Sequence, residues 1–451
     1  MKQIYIAMSI AFVLAISSCD GSANKNGKNI SSASTNSTST TADMGNTLTL
    51  GEIVTQLHAH GKSSSTLLEH YNALLKNTET IDDYPYLPVI MEMAFDCSDS
   101  LPKVQYVKSL LSLGANVNGR TGILYEGEAT ALSIAAGHGH LGICRILLQH
   151  GAEVNCEGTD VWRPLIAATQ MGHIKTCKLL LEHGADANAK DHHLTPALVV
   201  AAAKGYKDIC KLLLDYGANI NAQERDGQRE SREARLTLSS QNIVHYEECR
   251  LESALHKATK KGDIDICRLL VERGADVNAK NLHGDMPLFM AVDARNLEIS
   301  RLLLEHGAEV NALYSCFTPL YTALGRGDIE ICKLLFEHGA DINKKCINWT
   351  PLKWAISSCT HRERGKEVEN EKVLKCVEWL ITAGADVNAC TDGTTALWIA
   401  VKRNNAKCVR MLISAGADVN TWAYGKTLLA LAISEGKREI ANMLFAAGAH
   451  E

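Results

Sequence analysis

The apolar and polar positions of this chain repeat one short pattern. In Ile209–Asn221 the apolar Ile209, Cys210, Leu212, Leu213 and Leu214 stand beside polar Lys211 and Asp215 at helical spacing, and the run stops at Gly217-Ala218-Asn219-Ile220-Asn221. The stop, Gly-Ala-(Asp/Glu/Asn)-x-Asn, begins at Gly114, Gly151, Gly184, Gly217, Gly274, Gly307, Gly339, Gly384 and Gly416, with a truncated copy at Gly448. Successive copies lie 32 or 33 residues apart, apart from gaps of 37, 57 and 45. A period near 33 predicts a solenoid whose small unit cannot bury its apolar face alone. Each copy holds two helical patterns, clearest in Met286–Asp293 and Leu297–His306. Pro287 stands where a first-turn residue needs no N–H, and Gly307 where a helix end favours the left-handed conformation. Helices of about two turns are marginal alone, so stacking must stabilise them. The Asp-x-Asn side chains are expected to hydrogen-bond the local backbone of an extended connection.

The triplets Met286-Pro287-Leu288, Thr318-Pro319-Leu320 and Thr350-Pro351-Leu352, the Leu-Leu pairs and the Gly-Ala-Asp-Val-Asn turns resemble the ankyrin repeat. The likeness runs from about Asp82 to Glu451 as some ten units, with a degenerate first unit (Tyr84 to Leu113) and a last unit that stops early. It implies an all-α solenoid of helix-turn-helix pairs joined by hairpin-like fingers. It also implies a binding face lined by the fingers and the first helices.

The N-terminal part breaks the pattern. Lys2, the apolar run Ile4 to Ile16 and then Ile16-Ser17-Ser18-Cys19 read as a signal peptide over residues 1–18, too short to span a bilayer. The four residues ending in Cys19 resemble a bacterial lipobox, which implies acylation of Cys19; the alternative is an ordinary signal peptide with an incidental Cys. Several acyl chains would give stable attachment to a membrane. Residues 19–47, rich in Ser, Thr, Asn and Gly, form the expected disordered tether. Residues 48–80 show two helical patterns broken near Gly61 and are expected to cap the solenoid, which occupies 81–451. Two insertions interrupt it, at about 223–252 and 358–372, and insertions in solenoids map to loops. The Arg- and Glu-rich first insertion also fits a solvated loop without a partner.

The net charge of −5 argues against a nucleic-acid face, and the aromatic content of 5% suits thin stacked helices. Of 15 cysteines, Cys144, Cys177, Cys210, Cys267 and Cys332 stand seven residues before the repeat Gly, and Cys376 and Cys408 eight. Equivalent positions on neighbouring helices lie about 8–10 Å apart, beyond the roughly 7 Å Cα limit for a bridge, so these seven read as small core hydrophobes. Cys156, Cys316, Cys346 and Cys390 follow the turns and are expected to be more exposed. His150, His183, His306 and His338 precede the repeat Gly singly. No two are at ligand spacing, no metal or other cofactor is expected, and the family resemblance implies a structural turn residue. No nucleophile elbow, phosphate loop or His-Glu-x-x-His motif occurs, and Asp263 and Asp265 read as helix N-caps, so no catalysis is expected.

Recognition remains. Aligned units place Trp162, His192, His193, His283, Phe317, Trp349, Trp422 and Tyr424 in fingers, and Lys260, Lys261, Arg326, Lys402 and Arg403 at the ends of first helices. Aromatic and Arg side chains are common interface residues. Some finger aromatics could instead pack on the next finger, and Trp354 and Trp398, inside first helices, read as stacking core. The expectation is a monomeric, membrane-tethered scaffold of a bacterial cell envelope, which membrane being open, that binds protein partners through a concave face and the two inserted loops, and neither nucleic acid nor small-molecule substrates. A host-directed effector and an envelope spacer without a specific partner are the alternatives.

Overall fold

The computed structural model describes residues 116–125, 127–156, 161–191, 193–224, 251–363 and 366–450, with isolated positions before 116. The expected signal segment, Cys19, the tether, the N-terminal cap, nearly all of the degenerate first repeat (Tyr84 to Leu113), residues 225–250 of the first insertion and His192 lie outside them. The chain divides into two compact units, Met1–Cys156 and Glu157–Glu451.

Among the described residues there are 18 helices, in nine pairs. The first unit holds the hairpin β1 (Arg120–Tyr125) and β2 (Gly127–Thr130), then α1 (Ala131–Gly137) and α2 (Leu141–Gln149). The second unit begins with the short strand β3 (Val161–Trp162), followed by the pairs α3 (Pro164–Met171) with α4 (Ile174–Glu182) and α5 (Ala197–Lys204) with α6 (Lys207–Asp215). Then come α7 (Ala254–Lys261) with α8 (Ile264–Glu272), α9 (Pro287–Asp293) with α10 (Leu297–Glu305), and α11 (Pro319–Arg326) with α12 (Ile329–Glu337). The last pairs are α13 (Pro351–Ser358) with α14 (Glu371–Thr382), α15 (Ala396–Lys402) with α16 (Ala406–Ser414), and α17 (Leu428–Ser434) with α18 (Arg438–Ala446). Pro164, Pro287, Pro319 and Pro351 sit in first turns. Asp263, Asn296, Asp328, Asn370 and Asn405 cap second helices with side-chain oxygens. Asp265 corrects the expectation of a paired cap: it lies inside the first turn of α8 and pairs with Lys207 at 3.0 Å.

Within the second unit each first helix lies against the next first helix, and each second helix against the next second helix. Both insertions leave this stack unbroken, since α5 still meets α7 and α13 still meets α15. The neck of the first insertion is pinned: Gln223 bridges Ser253, Glu224 N donates to Glu252 O at 3.2 Å, and Lys257 contacts Glu224 at 3.0 Å and Glu252 at 2.7 Å. Burial alone would lower the Lys257 pKa; the hydrogen bonds to the two carboxylates outweigh it and raise it. The second insertion holds an antiparallel backbone hairpin of β4 (Thr360–Glu363) and β5 (Lys366–Glu369), with Thr360 opposite Glu369.

A ladder of asparagines, not foreseen from the turn chemistry, ties copy to copy. The turn aspartates Asp186, Asp276, Asp341, Asp386 and Asp418 do bond locally, as when Asp276 Oδ1 accepts from Asn278 N at 2.9 Å. The following Asn reaches onward: Asn278 Oδ1 accepts from Glu309 N at 2.8 Å while its Nδ2 donates to Gly307 O at 3.1 Å. Asn188, Asn311, Asn388 and Asn420 repeat both bonds with their own successors. Asn221 and Asn343 carry the ladder past both insertions, to Asp276 N and Asp386 N at 2.9 Å each. In the first unit Asn118 does the same toward Glu153 N and Gly151 O.

Candidate functional site

The fingers at 314–317, 346–349 and 391–394 of the second unit are built by backbone pairs around two central residues. Tyr314 and Phe317 exchange bonds of 2.9 Å, and Cys346 and Trp349 exchange bonds of 3.0 Å. Ser315 and Cys316 have φ of +45° and +74°, so both central residues adopt the left-handed conformation that suits the twist of a tight hairpin. In the last finger, strands β6 (Trp422–Ala423) and β7 (Lys426–Thr427) flank a tip made of Tyr424 and Gly425, again with positive φ.

In the five first helices from α7 to α15, one position in the first turn decides how the unit grips the next finger. His256 Nε2 meets Asp285 O at 3.2 Å, Phe289 packs on Tyr314 at 5.6 Å, and Trp398 packs on Tyr424 at 5.3 Å. The Tyr321 hydroxyl lies 2.8 Å from both Lys344 O and Trp349 O and shares its one proton between the two carbonyls. Lys353, 2% exposed, brings its ammonium to Thr391 Oγ1 (2.6 Å), Thr394 Oγ1 (2.8 Å), Thr391 O (2.9 Å), and Asn348 O and Thr394 O (3.2 Å each). Burial pulls its pKa down, and the contacts come from oxygens without formal charge.

His256 makes this grip pH-dependent. Its Nδ1 accepts from Ser253 N at 3.2 Å, which leaves Nε2–H to donate toward Asp285 O and fits the neutral ring; burial holds its pKa below 6.5. A lowered folded pKa means that the unfolded chain binds the proton first. The His256 contribution is therefore complete above about pH 6.5 and is lost as the pH falls toward the depressed folded value, by up to about 1.4 kcal/mol per pH unit. Urea unfolding at pH 7.5 and 5.5 should show a smaller acid loss of stability in His256→Gln than in the native chain; equal losses would contradict the assignment.

Phe317 and Trp349 are brought into one cluster with Trp354, all three half-buried, around the fully buried Tyr321. Ring centroids are 4.8 Å apart for Phe317 and Trp354, 5.3 Å for Phe317 and Tyr321, and 5.8 Å for Trp349 and Trp354. Trp354 is half-buried rather than core: its Nε1 donates to Tyr321 O at 2.9 Å. Trp398 is buried, as expected. Trp422 and Tyr424 are 67% and 72% exposed, and Lys402 lies over the Trp398 ring at 4.9 Å. Trp162 is half-buried before α3; His193 and His283 are exposed, their backbone N–H groups donating to Asp191 and Asn281 side chains. These three belong to other fingers.

The first-helix cations tie units together as well as facing solvent. Arg326 grips Asp293 of the preceding pair through Nη2 (2.6 Å) and Nε (3.1 Å), Lys261 Nζ reaches the carbonyls of Lys204 and Ala203, and Arg403 meets Ser357 Oγ at 3.1 Å. Lys260 is exposed.

Cys144, Cys177, Cys210, Cys267, Cys332, Cys376 and Cys408 are fully buried. Burial pushes the thiols of Cys210 and Cys267 up to about 12 and that of Cys177 to about 11, away from nucleophilic use. Cys316 and Cys390 are exposed, whereas Cys156 and Cys346 correct the expectation: at 2% and 4% they are buried, Cys156 with its Sγ 3.8 Å from Thr130 Oγ1. A second correction concerns separation. Cys332 and Cys376 hydrogen-bond, which keeps Cys332 well above and Cys376 below the usual thiol range, and the Sγ atoms of Cys359 and Cys408 lie 3.9 Å apart. Neither pair occupies equivalent positions, so the spacing of equivalent positions does not apply to them. His150, His183, His306 and His338 each turn Nδ1 to the carbonyl four residues back, at 2.8–2.9 Å. Among the described residues no group of three His, Cys, Asp or Glu could hold a metal, and no helix is long and apolar enough to cross a membrane.

Comparison with known proteins agrees with this architecture. The family model for ankyrin repeats (3 copies) matches residues 97–191, 159–224, 234–314, 315–364 and 367–451. Among solved structures, the human ASB11 ankyrin repeat domain is 24% identical, over 55% of this chain and 97% of that one, with a TM-score of 0.41. An ankyrin repeat domain from Acinetobacter baumannii AYE is 29% identical, over 44% of this chain and 98% of that one, with a TM-score of 0.39. A search of curated proteins found no match. Ankyrin-repeat proteins are typically non-catalytic scaffolds that bind other proteins. With its helix pairs, capped turns and matched repeats, the chain belongs to the ankyrin-repeat family.

Proposed function

We propose that this protein is a non-catalytic scaffold that docks partner proteins on its fingers and first helices, and that lipid on Cys19 tethers it to a membrane of a bacterial cell envelope. The observation that supports docking most is the pair Trp422 and Tyr424, 67% and 72% exposed on a finger held rigid by β6 and β7. Large aromatics left in water contribute little to the fold, and on a pre-ordered hairpin they lose little entropy on binding. The half-buried Phe317–Trp349–Trp354 cluster adds a second apolar surface, and Lys402 and Arg326 give polar edges. Removing Trp422 and Tyr424 together to Ala should weaken partner binding at least tenfold, about 1.4 kcal/mol, while costing the fold no more than the ring contact of Tyr424 with Trp398, about 0.5–1.5 kcal/mol. Unchanged binding would remove the finger from the account. For the tether, Cys19→Ala should shift the protein from the membrane to the soluble fraction and remove the mass of the acyl groups; the same mass and location in both forms would end the lipoprotein reading.

A further inference from the structure

The fully buried Cys359 and Cys408 have no part in docking, yet their sulfurs lie 3.9 Å apart across two neighbouring units. Cys359 ends α13 at the base of the inserted hairpin, where Asn370 N donates to its carbonyl at 2.7 Å and closes the hairpin stem. Cys408 is in the first turn of α16, with its N–H held by Asn405 Oδ1 at 3.0 Å. One sulfur is thus fixed to the root of the insertion and the other to the next helix pair. A disulfide needs a sulfur separation of about 2 Å, and the remaining approach would come from rotation about the two Cα–Cβ bonds.

We propose that Cys359 and Cys408 are a reversible disulfide site that clamps the inserted hairpin to the following unit. The oxidant is a low-molecular-weight disulfide. Opening of the stem at the Asn370–Cys359 bond uncovers Cys359, whose thiolate attacks the small disulfide, forming a mixed disulfide and releasing one small thiol. Cys408 gives up its proton and attacks the Cys359 sulfur, expelling the second small thiol. The protein loses two protons and two electrons, and the small disulfide gains both. The bond closes a loop that holds the whole insertion and an entire finger, so it restricts the unfolded chain and fixes the hairpin root against α16. Cys332 and Cys376, also in contact, link two second helices without involving the hairpin and are the natural competitor.

Oxidised glutathione is incubated with the native full chain, free thiols are then alkylated in denaturant, and peptides are mapped by mass. The expected result is a Cys359–Cys408 linked peptide, two hydrogens lighter than its reduced parts and released by dithiothreitol, together with a raised urea midpoint. Cys408→Ala, checked by circular dichroism to be folded, should lose both the link and the rise. The proposal is overturned if the native chain yields Cys359 and Cys408 alkylated, if they are recovered only as glutathione adducts, or if the link joins Cys332 to Cys376. It is equally overturned if the link forms but the urea midpoint stays where it was.

Discussion

Tyr321→Ala should destabilise the second unit by about 4 kcal/mol, read as a drop in the urea midpoint. Tyr321 is 1% exposed and is among the largest fully buried side chains. Its removal opens a cavity between Phe317 and Trp354, whose rings lie 5.3 and 6.1 Å from it. It also removes the hydroxyl whose proton is shared between Lys344 O and Trp349 O, the link that holds the next finger to α11. Tyr321→Phe keeps the ring and loses only this link, so its cost should be about 1–2 kcal/mol. The pair of variants separates packing from hydrogen bonding. Equal losses in both would mean that the ring fills no space that matters. Because Trp349 is fixed through this hydroxyl, Tyr321→Phe should also loosen the aromatic cluster and change the tryptophan fluorescence of the folded protein.

Gly327→Ala should be costly for a single added methyl group, at about 3 kcal/mol. Gly327 follows α11 with a φ of +68°, in the left-handed region where an L side chain is strained. A Cβ there would stand 2.9 Å from Lys372 Cβ, 3.0 Å from Val373 N and 3.1 Å from Lys372 C, at the start of α14. Two of those atoms are backbone, so α14 itself would have to move, and with it the contacts of α14 with α12 and α16. Gly307 provides the comparison, since it also has a positive φ, +86°, but open space within 4 Å. Gly307→Ala should cost only about 1 kcal/mol, the conformational part alone. If the two variants unfold at the same urea concentration, close packing at Gly327 contributes nothing.

The contrast shows what sequence pattern could and could not reveal. Period, paired helices, Pro in the first turn and Gly after the second helix are local consequences of propensity and capping, so they were readable from Met286–Gly307 alone. Burial of the seven helix cysteines followed from the same face. What escaped were contacts between units, because equivalent residues hide their differences. His256, Phe289, Tyr321, Lys353 and Trp398 share one slot but join the next finger by a ring nitrogen, a ring face, a hydroxyl, an ammonium and an indole respectively. The Asn ladder was half legible: turn chemistry accounts for Asp276 bonding Asn278, while the reach of Asn278 to Glu309 depends on the stacking distance. Cys346 was misjudged because a turn position suggests solvent, whereas its finger folds inward and leaves it 4% exposed. Among the candidate binding residues, finger membership was visible in the alignment of units. Whether a finger aromatic packs, as Phe317 does on Trp354, or stands free of the core, as Tyr424's outer surface does, depended on the partner residue one unit away.

The most direct test of the docking account places a photocrosslinking amino acid at Tyr424 and, separately, at Phe445. Both positions are exposed, at 72% and 73%, but Tyr424 tips a finger while Phe445 lies on α18, a second helix. The account predicts that irradiation of living cells joins the Tyr424 probe to a protein of defined mass, that the Phe445 probe gives no such product, and that Trp422→Ala weakens the product at Tyr424. Crosslinking to that protein through Phe445 and not through Tyr424 would contradict it, since docking would then use the second helices and not the fingers.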